Sequence, residues 1–474
     1  YWPRRSPAAP RVALLATGAA AIAAASTIPL EKVGIGWFVA ALAIAAALVL
    51  VAGRTSGRPR VGWLVAALAL TAIGGLRASE WLFVLCLMTA AGAASLAVTG
   101  GRSVRAIAFG VVAAGIAGFR ALPWAKAGLR TLRRPTGGPR IGRSVLISLA
   151  LFAVFGSLLA SADEGFGKVL GGALPDLDAD RVVEWVFLFG AAAFGMLGGA
   201  FLLANPATVD AMPTAARRRV SVAEWVLPVG VVVVLFAVFV GVQFAVLFGG
   251  SEYVLATADV TYAEYARSGF WQLLAVTALT LVVIAVAAGV APTDTADQRQ
   301  WLRAVLGALA VLTLVIVVSA IGRMWTYQQT YGFTVLRLLV SVCEIWLGVI
   351  YVVVLVAGVR LRAGWVPRAV VGTGVAMLVA LGALDPERFI AERNVDRYAE
   401  SGEIDIYYLA TLSEDVVPAL AGLPEPLRTC ALRGFDRTSE DTPMAWNLSR
   451  SQARAILRDV NEVDPSECDS GGYR

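Results

Sequence analysis

Long apolar stretches, separated by short polar or charged segments, make up most of the chain. The length of each stretch is close to the about 20 residues with which an α-helix crosses a ~30 Å hydrocarbon core. They occupy residues 12–30, 36–52, 61–76, 81–98, 107–122, 141–160, 182–204, 222–248, 270–290, 302–321, 333–359 and 369–384. A soluble protein does not repeat buried helices this often. The pattern predicts an all-α, polytopic transmembrane helix bundle of about 11–13 spans.

The pattern changes after the last apolar stretch. From Asp385 onwards, apolar residues recur at helical spacing among many charged residues, which predicts a small helical domain outside the membrane. The chain thus divides into Ala-rich N-terminal transmembrane helices (1–122), a basic cytoplasmic segment (123–143), core transmembrane helices (144–384) and an external C-terminal domain (385–474). Pro418, Pro424 and Pro426 predict that the helices of this last domain are short.

Charge predicts the orientation. Hydrophobic residues make up 58% of the chain, charged residues 16%, and the formal net charge is +6. The arginines lie in short segments beside the spans, which follows the positive-inside rule and does not indicate nucleic acid binding. In the second half, basic and acidic segments alternate, which predicts that 120–143 lies in the cytoplasm and that the C-terminal domain lies on the outer side of the plasma membrane.

The first half does not fit this orientation. Five full crossings after a cytoplasmic N-terminus would place the basic segment 120–143 outside the cell. Two alternatives remain: the stretch 107–122 is re-entrant or interfacial, or a further span precedes Tyr1.

Histidine is absent from the sequence. This excludes Ser-His-Asp and Cys-His catalysis, H-E-x-x-H zinc sites and histidine-ligated haem, and we predict no cofactor or metal. The four cysteines form no C-x-x-C motif. Cys86 and Cys343 lie within spans and are expected to pack, whereas Cys430 and Cys468 share the predicted external domain, where a disulfide between them would persist.

Glu344 lies near the middle of a predicted span, where an ionised carboxylate is costly unless it is paired or solvated. Arg337 precedes it by two helical turns, about 10 Å, which is too far for a direct ion pair. Gln243 is a candidate partner from another helix. The functional interpretation is a proton or cation relay or a substrate contact in a polar cavity, and the structural alternative is an ion pair or hydrogen bond between helices.

Two aromatic segments and one acidic loop meet the predicted external face. The aromatic segments contain Tyr262, Tyr265, Arg267 and Trp271 in one, and Tyr327, Gln328 and Tyr331 in the other. An aromatic belt would explain them, although they carry more polar groups than anchoring requires. The acidic loop contains Asp163, Glu164, Asp176 and Asp178, which could bind a hard cation or serve group transfer, but a solvated loop is the simpler account.

Three segments resemble a family of uncharacterised bacterial multi-pass membrane proteins, of the domain of unknown function 4173 or 4153 type. They begin at Tyr265, Tyr331 and Asn394, and the resemblance covers about residues 145–460, leaving the first five stretches outside. It implies the shared positions Tyr265, Arg267, Gly269, Phe270, Tyr331, Gly332, Thr334, Arg337, Asn394, Arg397 and Tyr398, and Asp405 follows them in the tail motif. It implies no activity. The Ala, Val and Arg bias is similar to that of actinobacterial proteins.

Three functions are compatible with this sequence. The first is a non-enzymatic, transporter-like or cell-envelope-associated component with a polar intramembrane cavity. The second is a metal-dependent envelope glycosyl- or lipid-group transferase, and the third is a sensor or scaffold that binds a protein partner through its external C-terminal domain. Expected partners are membrane lipids and a small-molecule or lipid ligand, and nucleic acid is not among them.

Overall fold

The computed structural model describes residues 8–53, 60–101, 103–132, 179–206, 220–248, 270–361, 363–438 and 440–459, with scattered positions between 144 and 166. Within these residues every regular element is a helix and no strand occurs. This confirms the predicted fold class, a polytopic helical bundle.

The helices of the membrane part follow the apolar stretches. The first six are α1 (Arg11–Thr27), α2 (Gly36–Ala52), α3 (Val61–Leu76), α4 (Glu80–Thr99), α5 (Val104–Leu132) and α6 (Ala179–Ala204). The next five are α7 (Val222–Phe248), α8 (Phe270–Val290), α9 (Ala296–Tyr331), α10 (Val335–Arg360) and α11 (Val366–Leu384). By length and composition, α4 to α11 are each able to cross a membrane, and α1 to α3 are shorter apolar helices.

Helix α9 is longer than its apolar stretch. The sequence predicted an external loop over residues 323–333, but α9 continues as a helix to Tyr331. Its two threonines are satisfied within the helix, because the hydroxyl groups of Thr326 and Thr330 donate to backbone carbonyls one turn earlier. The helix ends at Gly332, whose φ of 82° is a conformation that favours glycine.

The membrane helices pack around two apolar cores. Helices α1 to α6 enclose the first, where small residues such as Ala113 are fully buried. A Cβ at Gly198 would overlap the backbone of Ala114, so α5 and α6 are in close contact there. Helices α7 to α10 enclose the second core, which contains larger side chains such as Leu309 and Tyr351. Helix α11 packs against α3, α4 and α10 and so connects the two groups.

The C-terminal domain consists of short helices, as its prolines predicted. They are α12 (Pro386–Ser401), α13 (Ile406–Ala410), a 3₁₀ turn (Glu414–Val416), α14 (Val417–Leu420), α15 (Leu427–Leu432) and α16 (Leu448–Leu457). The domain covers one end of the bundle, which we call the tail face: the α1–α2, α3–α4 and α9–α10 connections and the end of α11. For example, Ile35 donates its N–H to the carbonyl of Trp446 at 2.9 Å, and the Asn447 amide donates to the carbonyls of Gly74 and Arg77.

The opposite end, which we call the basal face, carries the α2–α3, α4–α5, α8–α9 and α10–α11 connections. Both ends of α5 lie toward this face. Near its start, the carbonyl of Gly110 accepts from Ser95, which is close to the end of α4. Near its end, the carbonyl of Trp124 accepts from the N–H of Ala9, just before α1, and the Trp124 ring contacts Phe201 near the end of α6. Helix α5 therefore begins and ends at the same face.

This course of α5 bears on the conflict in the predicted orientation. Its exposed side combines apolar residues such as Ile116 and Phe119 with basic residues such as Lys126 and Arg130, which is typical of a helix that lies in the membrane interface. The contacts favour the interfacial alternative for residues 107–122, and the orientation itself stays a prediction. They also correct the predicted loop from residue 120, because the chain stays helical to Leu132.

Candidate functional site

Glu344 is buried within the second core. It lies about 14 Å along α10 from the first residue of that helix, at 1.5 Å per residue. Its side chain is 0% exposed, and neither carboxylate oxygen has a hydrogen-bond partner. An ionised carboxylate in apolar surroundings costs several kcal/mol unless it is paired or solvated. The site is therefore stable only when the carboxyl group holds a proton, a cation or a polar ligand.

Buried hydroxyl groups from three helices lie beyond Glu344 along the second core. Tyr351 follows it by two turns of α10, and its hydroxyl donates to the backbone carbonyl of Thr277 in α8 at 2.7 Å. Thr280 in α8 and Thr313 in α9 are buried in the same core, and the hydroxyl group of each donates to a backbone carbonyl of its own helix at 2.7 Å. Because hydroxyl groups both donate and accept hydrogen bonds, this column places polar groups inside the apolar core, about two helical turns from Glu344.

Arg337 makes no ion pair with Glu344. Its guanidinium donates to the backbone carbonyls of Tyr331, at 2.9 Å, and Gly332, and it lies over the Tyr327 ring at 4.6 Å from the ring centre. Because Arg337 is in the first turn of α10, it closes the α9–α10 connection at the tail face. Arg337 belongs to a helix that is able to cross a membrane, and its intramembrane position stays a prediction.

Gln243 and Gln328, which the sequence singled out, form no hydrogen bond with Glu344. Gln243 in α7 accepts from Ser319 at 3.2 Å and from Arg323 at 2.6 Å, both in α9. It faces α9 at this level and is not the partner of the buried carboxylate that the sequence suggested. Gln328 is 2% exposed and donates to Ser341 at 2.9 Å and to a backbone carbonyl of α10, so it joins α9 to α10.

The tail motif docks on the α9–α10 connection. The Asn394 side chain accepts from the N–H of Phe333 at 3.1 Å and donates to its carbonyl at 2.9 Å. The Tyr408 hydroxyl accepts from the N–H of Val335 at 2.8 Å. A Cβ at Gly332 would lie 2.6 Å from the Asn394 oxygen. Two of the segments that carry the family resemblance therefore meet in space.

The remaining motif residues shape the C-terminal domain itself. Arg397 pairs with Glu403 at 2.6 Å in the turn after α12, and Asp405 caps α13 by accepting from the N–H of Tyr408 at 2.9 Å. Tyr398 packs against the apolar core that the domain shares with α3 and α4. These residues hold the fold of the domain rather than line the second core.

Buried acids fasten the C-terminal domain to α3 and α4. Arg77, in the α3–α4 connection, donates to Asp385 at 2.6 Å and to the carbonyl of Gly382 at 2.7 Å. Asp415 accepts from the two backbone N–H groups that follow Arg77. We call Arg77, Asp385, Glu387 and Asp415 the docking cluster.

Two carboxyl groups of the docking cluster have raised pKa values. Burial, with a contribution from Asp415, raises the pKa of Asp385 to about 7, against the opposing effect of Arg77. Burial also raises the pKa of Glu387, although hydrogen bonds from Ser413 and Trp81 oppose the shift. Docking of the domain is therefore coupled to protonation.

Other predicted site residues are not brought together with Glu344. Trp271, at the start of α8, is 59% exposed, as expected of an interfacial aromatic residue. Asp163 accepts from the N–H of Phe166 at 2.6 Å, and no group of acids, cysteines or histidines able to hold a metal occurs among the described residues. The residues outside the described part are Tyr262, Tyr265, Arg267, Glu164, Asp176, Asp178 and Cys468.

The cysteines fall into two states. Cys86 and Cys343 are free thiols, whereas Cys430 in α15 is disulfide-bonded. Its predicted partner Cys468 lies outside the described residues, so the pairing stays a prediction. A disulfide in the C-terminal domain is typical of a domain in an oxidising compartment.

The fold and this site define a multi-pass helical membrane protein with a docked extramembrane domain. The model of a family described as a domain of unknown function, DUF4153, matches residues 61–423. The chain belongs to this family, which confirms the resemblance. The match differs in extent from the predicted residues 145–460, because it begins at α3 and ends within the C-terminal domain. This start is understandable because α3 and α4 carry much of the docking surface. No curated protein and no solved structure matches the chain.

Sequence reasoning missed the hydroxyl column and the docking cluster. Tyr351 could have been found because it follows Glu344 by two helical turns in the same apolar stretch. Arg77 is the lone basic residue between α3 and α4, and Asp385 stands where the apolar pattern ends. These signals name single residues, but they do not show which helices the residues face.

Proposed function

We propose that the protein is a transporter-like component of the bacterial plasma membrane in which Glu344 takes up and releases a proton. The observation that carries the proposal is the fully buried carboxyl group without a partner. The other buried acids of the described part, Asp385, Glu387 and Asp415, each accept at least one hydrogen bond. Glu344 is therefore the acid whose burial the fold does not compensate.

A proton fits this site better than a metal cation. Hard cations take six or more oxygen ligands, whereas the nearest hydroxyl groups identified here lie about two turns away. A proton needs only the carboxyl group itself, and the buried hydroxyl group of Tyr351 lies two turns further along α10. Acids buried in this way in membrane proteins commonly mark ion or proton pathways.

The proposal places the C-terminal domain outside the cytoplasm. The basal face carries the basic segments, which the positive-inside rule assigns to the cytoplasm, and the domain covers the opposite face. The disulfide of Cys430 supports the same side. The domain then caps the α9–α10 pair that contains Glu344.

Carbodiimide labelling tests the proposal without knowledge of the substrate. A hydrophobic carbodiimide reacts with a protonated carboxyl group in an apolar site, and mass spectrometry of the purified protein locates the adduct. We expect labelling at Glu344 that decreases as the pH rises and disappears in Glu344→Gln. The matched control is Glu80→Gln, which removes an exposed acid at the start of α4 and should leave labelling unchanged.

The outcomes separate the candidate functions. If sodium or potassium protects Glu344 from labelling at constant pH, the ion that binds there is a metal cation and not a proton. A carboxyl group that stays unlabelled at every pH would be sealed and structural, which would reject the proposal and favour the scaffold function. Activity that requires a divalent metal and survives Glu344→Gln would favour a transferase.

A further inference from the structure

A cavity of about 460 Å³ opens on the basal face between α3 and α11. Arg60 and Arg368 lie at its mouth, and Trp63, Ala66 and Val375 form an apolar wall below them. No acidic residue lines it. Its volume falls within the ~300–1,000 Å³ of typical ligand sites. None of its lining residues belongs to α10, the helix of Glu344, and the cavity plays no part in the function proposed above.

One turn positions both cations of this cavity. The Nε of Arg368 donates to the carbonyl of Gly101 at 2.7 Å, and the guanidinium of Arg60 occupies the space into which a Cβ at Gly100 would project. The φ of Gly100 is 71°, which independently favours glycine. Neither guanidinium has an ion-pair partner among the described residues. The α4–α5 turn thus fixes two positive charges on one cavity without a counter-charge.

Two helix N-termini add to the positive potential. Helix α3 begins directly after Arg60, and Arg368 lies in the first turn of α11. The first N–H groups of a helix have no partner within the helix, and they carry about half of a positive charge together. Two arginines and two helix N-termini around one cavity are the chemistry that recognises a phosphate group.

The apolar wall identifies the source of the phosphate. Val375 is nine residues beyond the start of α11, so the wall extends about 14 Å toward the membrane interior. We propose that the cavity binds an anionic phospholipid of the basal leaflet, with its phosphate between Arg60 and Arg368. One acyl chain lies along Trp63, Ala66 and Val375. A free phosphate ion would leave this wall unused.

Lipid titration of the purified, delipidated full-length protein tests the proposal by native mass spectrometry. We expect phosphatidylglycerol to bind more tightly than phosphatidylcholine. Arg60→Gln should weaken the affinity for phosphatidylglycerol about fivefold, since one basic residue contributes about this much at an anionic surface. Arg60 is a better position for this test than Arg368, because its side chain donates no hydrogen bond to the described residues. The matched control, Arg303→Gln, removes an exposed arginine of α9 near the basal face and should bind as the wild type does.

A second variant tests the acyl chain. No atom lies within 4 Å of a Cβ at Gly372, so Gly372→Leu narrows the cavity without a clash. We expect this variant to bind phosphatidylglycerol more weakly and to bind inorganic phosphate as the wild type does. Displacement of the lipid by millimolar inorganic phosphate would indicate a site for a soluble anion and would overturn the lipid assignment. Equal binding of phosphatidylcholine, or no effect of Arg60→Gln, would also overturn it.

Discussion

The unpartnered carboxyl group of Glu344 makes an unusual stability prediction. Replacing a buried residue normally destabilises a protein, but Glu344→Met should stabilise this one. Methionine has a similar length, fills irregular apolar space and brings no strong hydrogen-bonding group. The variant removes two buried oxygen atoms that have no partner. It should lose any proton uptake at the same time, as expected where a protein trades stability for function.

The magnitude follows from the cost of unsatisfied groups. A buried polar group without a partner costs about 1–3 kcal/mol, so the free energy of unfolding should rise by about that amount. Glu344→Gln should change it little, because the amide remains without partners. Intrinsic tryptophan fluorescence during heating in detergent measures the shift, which for proteins of 150–250 residues is about 2–4 °C per kcal/mol and smaller for a longer chain.

Gln328→Met is the matched control in the same pair of helices. Gln328 is buried like Glu344, but its amide donates to Ser341 and to a backbone carbonyl. Its removal breaks two hydrogen bonds between α9 and α10 and, at about 0.5–1.5 kcal/mol for each, should lower the unfolding free energy by about 1–3 kcal/mol. If Glu344→Met lowers the unfolding temperature as much as Gln328→Met does, then Glu344 makes stabilising contacts and our reasoning is refuted.

Three further predictions concern the docked C-terminal domain. Arg77→Ala breaks a buried ion pair with Asp385 and should weaken docking by about 3–5 kcal/mol, so limited proteolysis should release the domain faster than in the wild type. Because the pKa of Asp385 is raised from 3.8 to about 7, the native state holds more protons than the unfolded state in this range. The unfolding temperature should therefore fall as the pH rises from about 4 to 7, and Asp385→Asn should flatten the profile; a rise with pH would contradict the assignment. Gly332→Ala should destabilise the protein by at least about 1 kcal/mol, because alanine disfavours positive φ and would press on Asn394; an unchanged thermal midpoint would argue against this.

The apolar pattern predicted the helices well but not their course in the membrane. Helix α5 has the length and hydropathy of a span, yet both of its ends contact the basal face. Its arginines and lysine are spread along one exposed side, and only the contacts of Gly110 and Trp124 show that both ends of the helix lie at the same end of the bundle. A window of hydropathy averages over all sides of a helix and therefore cannot distinguish a helix that lies in the interface from one that crosses.

Only part of the candidate site was predictable from the sequence. Glu344 was found because a single acid within an apolar stretch is costly wherever its partners lie. Its surroundings were not found, because Thr280 and Thr313 come from helices whose neighbours are set by packing. The partners of Arg337 were not found either, because the sequence does not reveal that its guanidinium donates to backbone carbonyls of the preceding turn.

The length of α9 has a mechanical consequence. At 1.5 Å per residue, its 36 residues extend about 54 Å, far beyond a ~30 Å hydrocarbon core. One uninterrupted helix thus runs from the basal face, beside the helix of Glu344, to the Gly332 turn that holds Asn394 of the C-terminal domain. A straight helix does not shorten or bend freely, so a displacement of the domain is carried into the membrane as a movement of the whole rod. Glu344 lies on the neighbouring helix, about 14 Å along α10 from the connection that the C-terminal domain holds, so it lies beside this long helix.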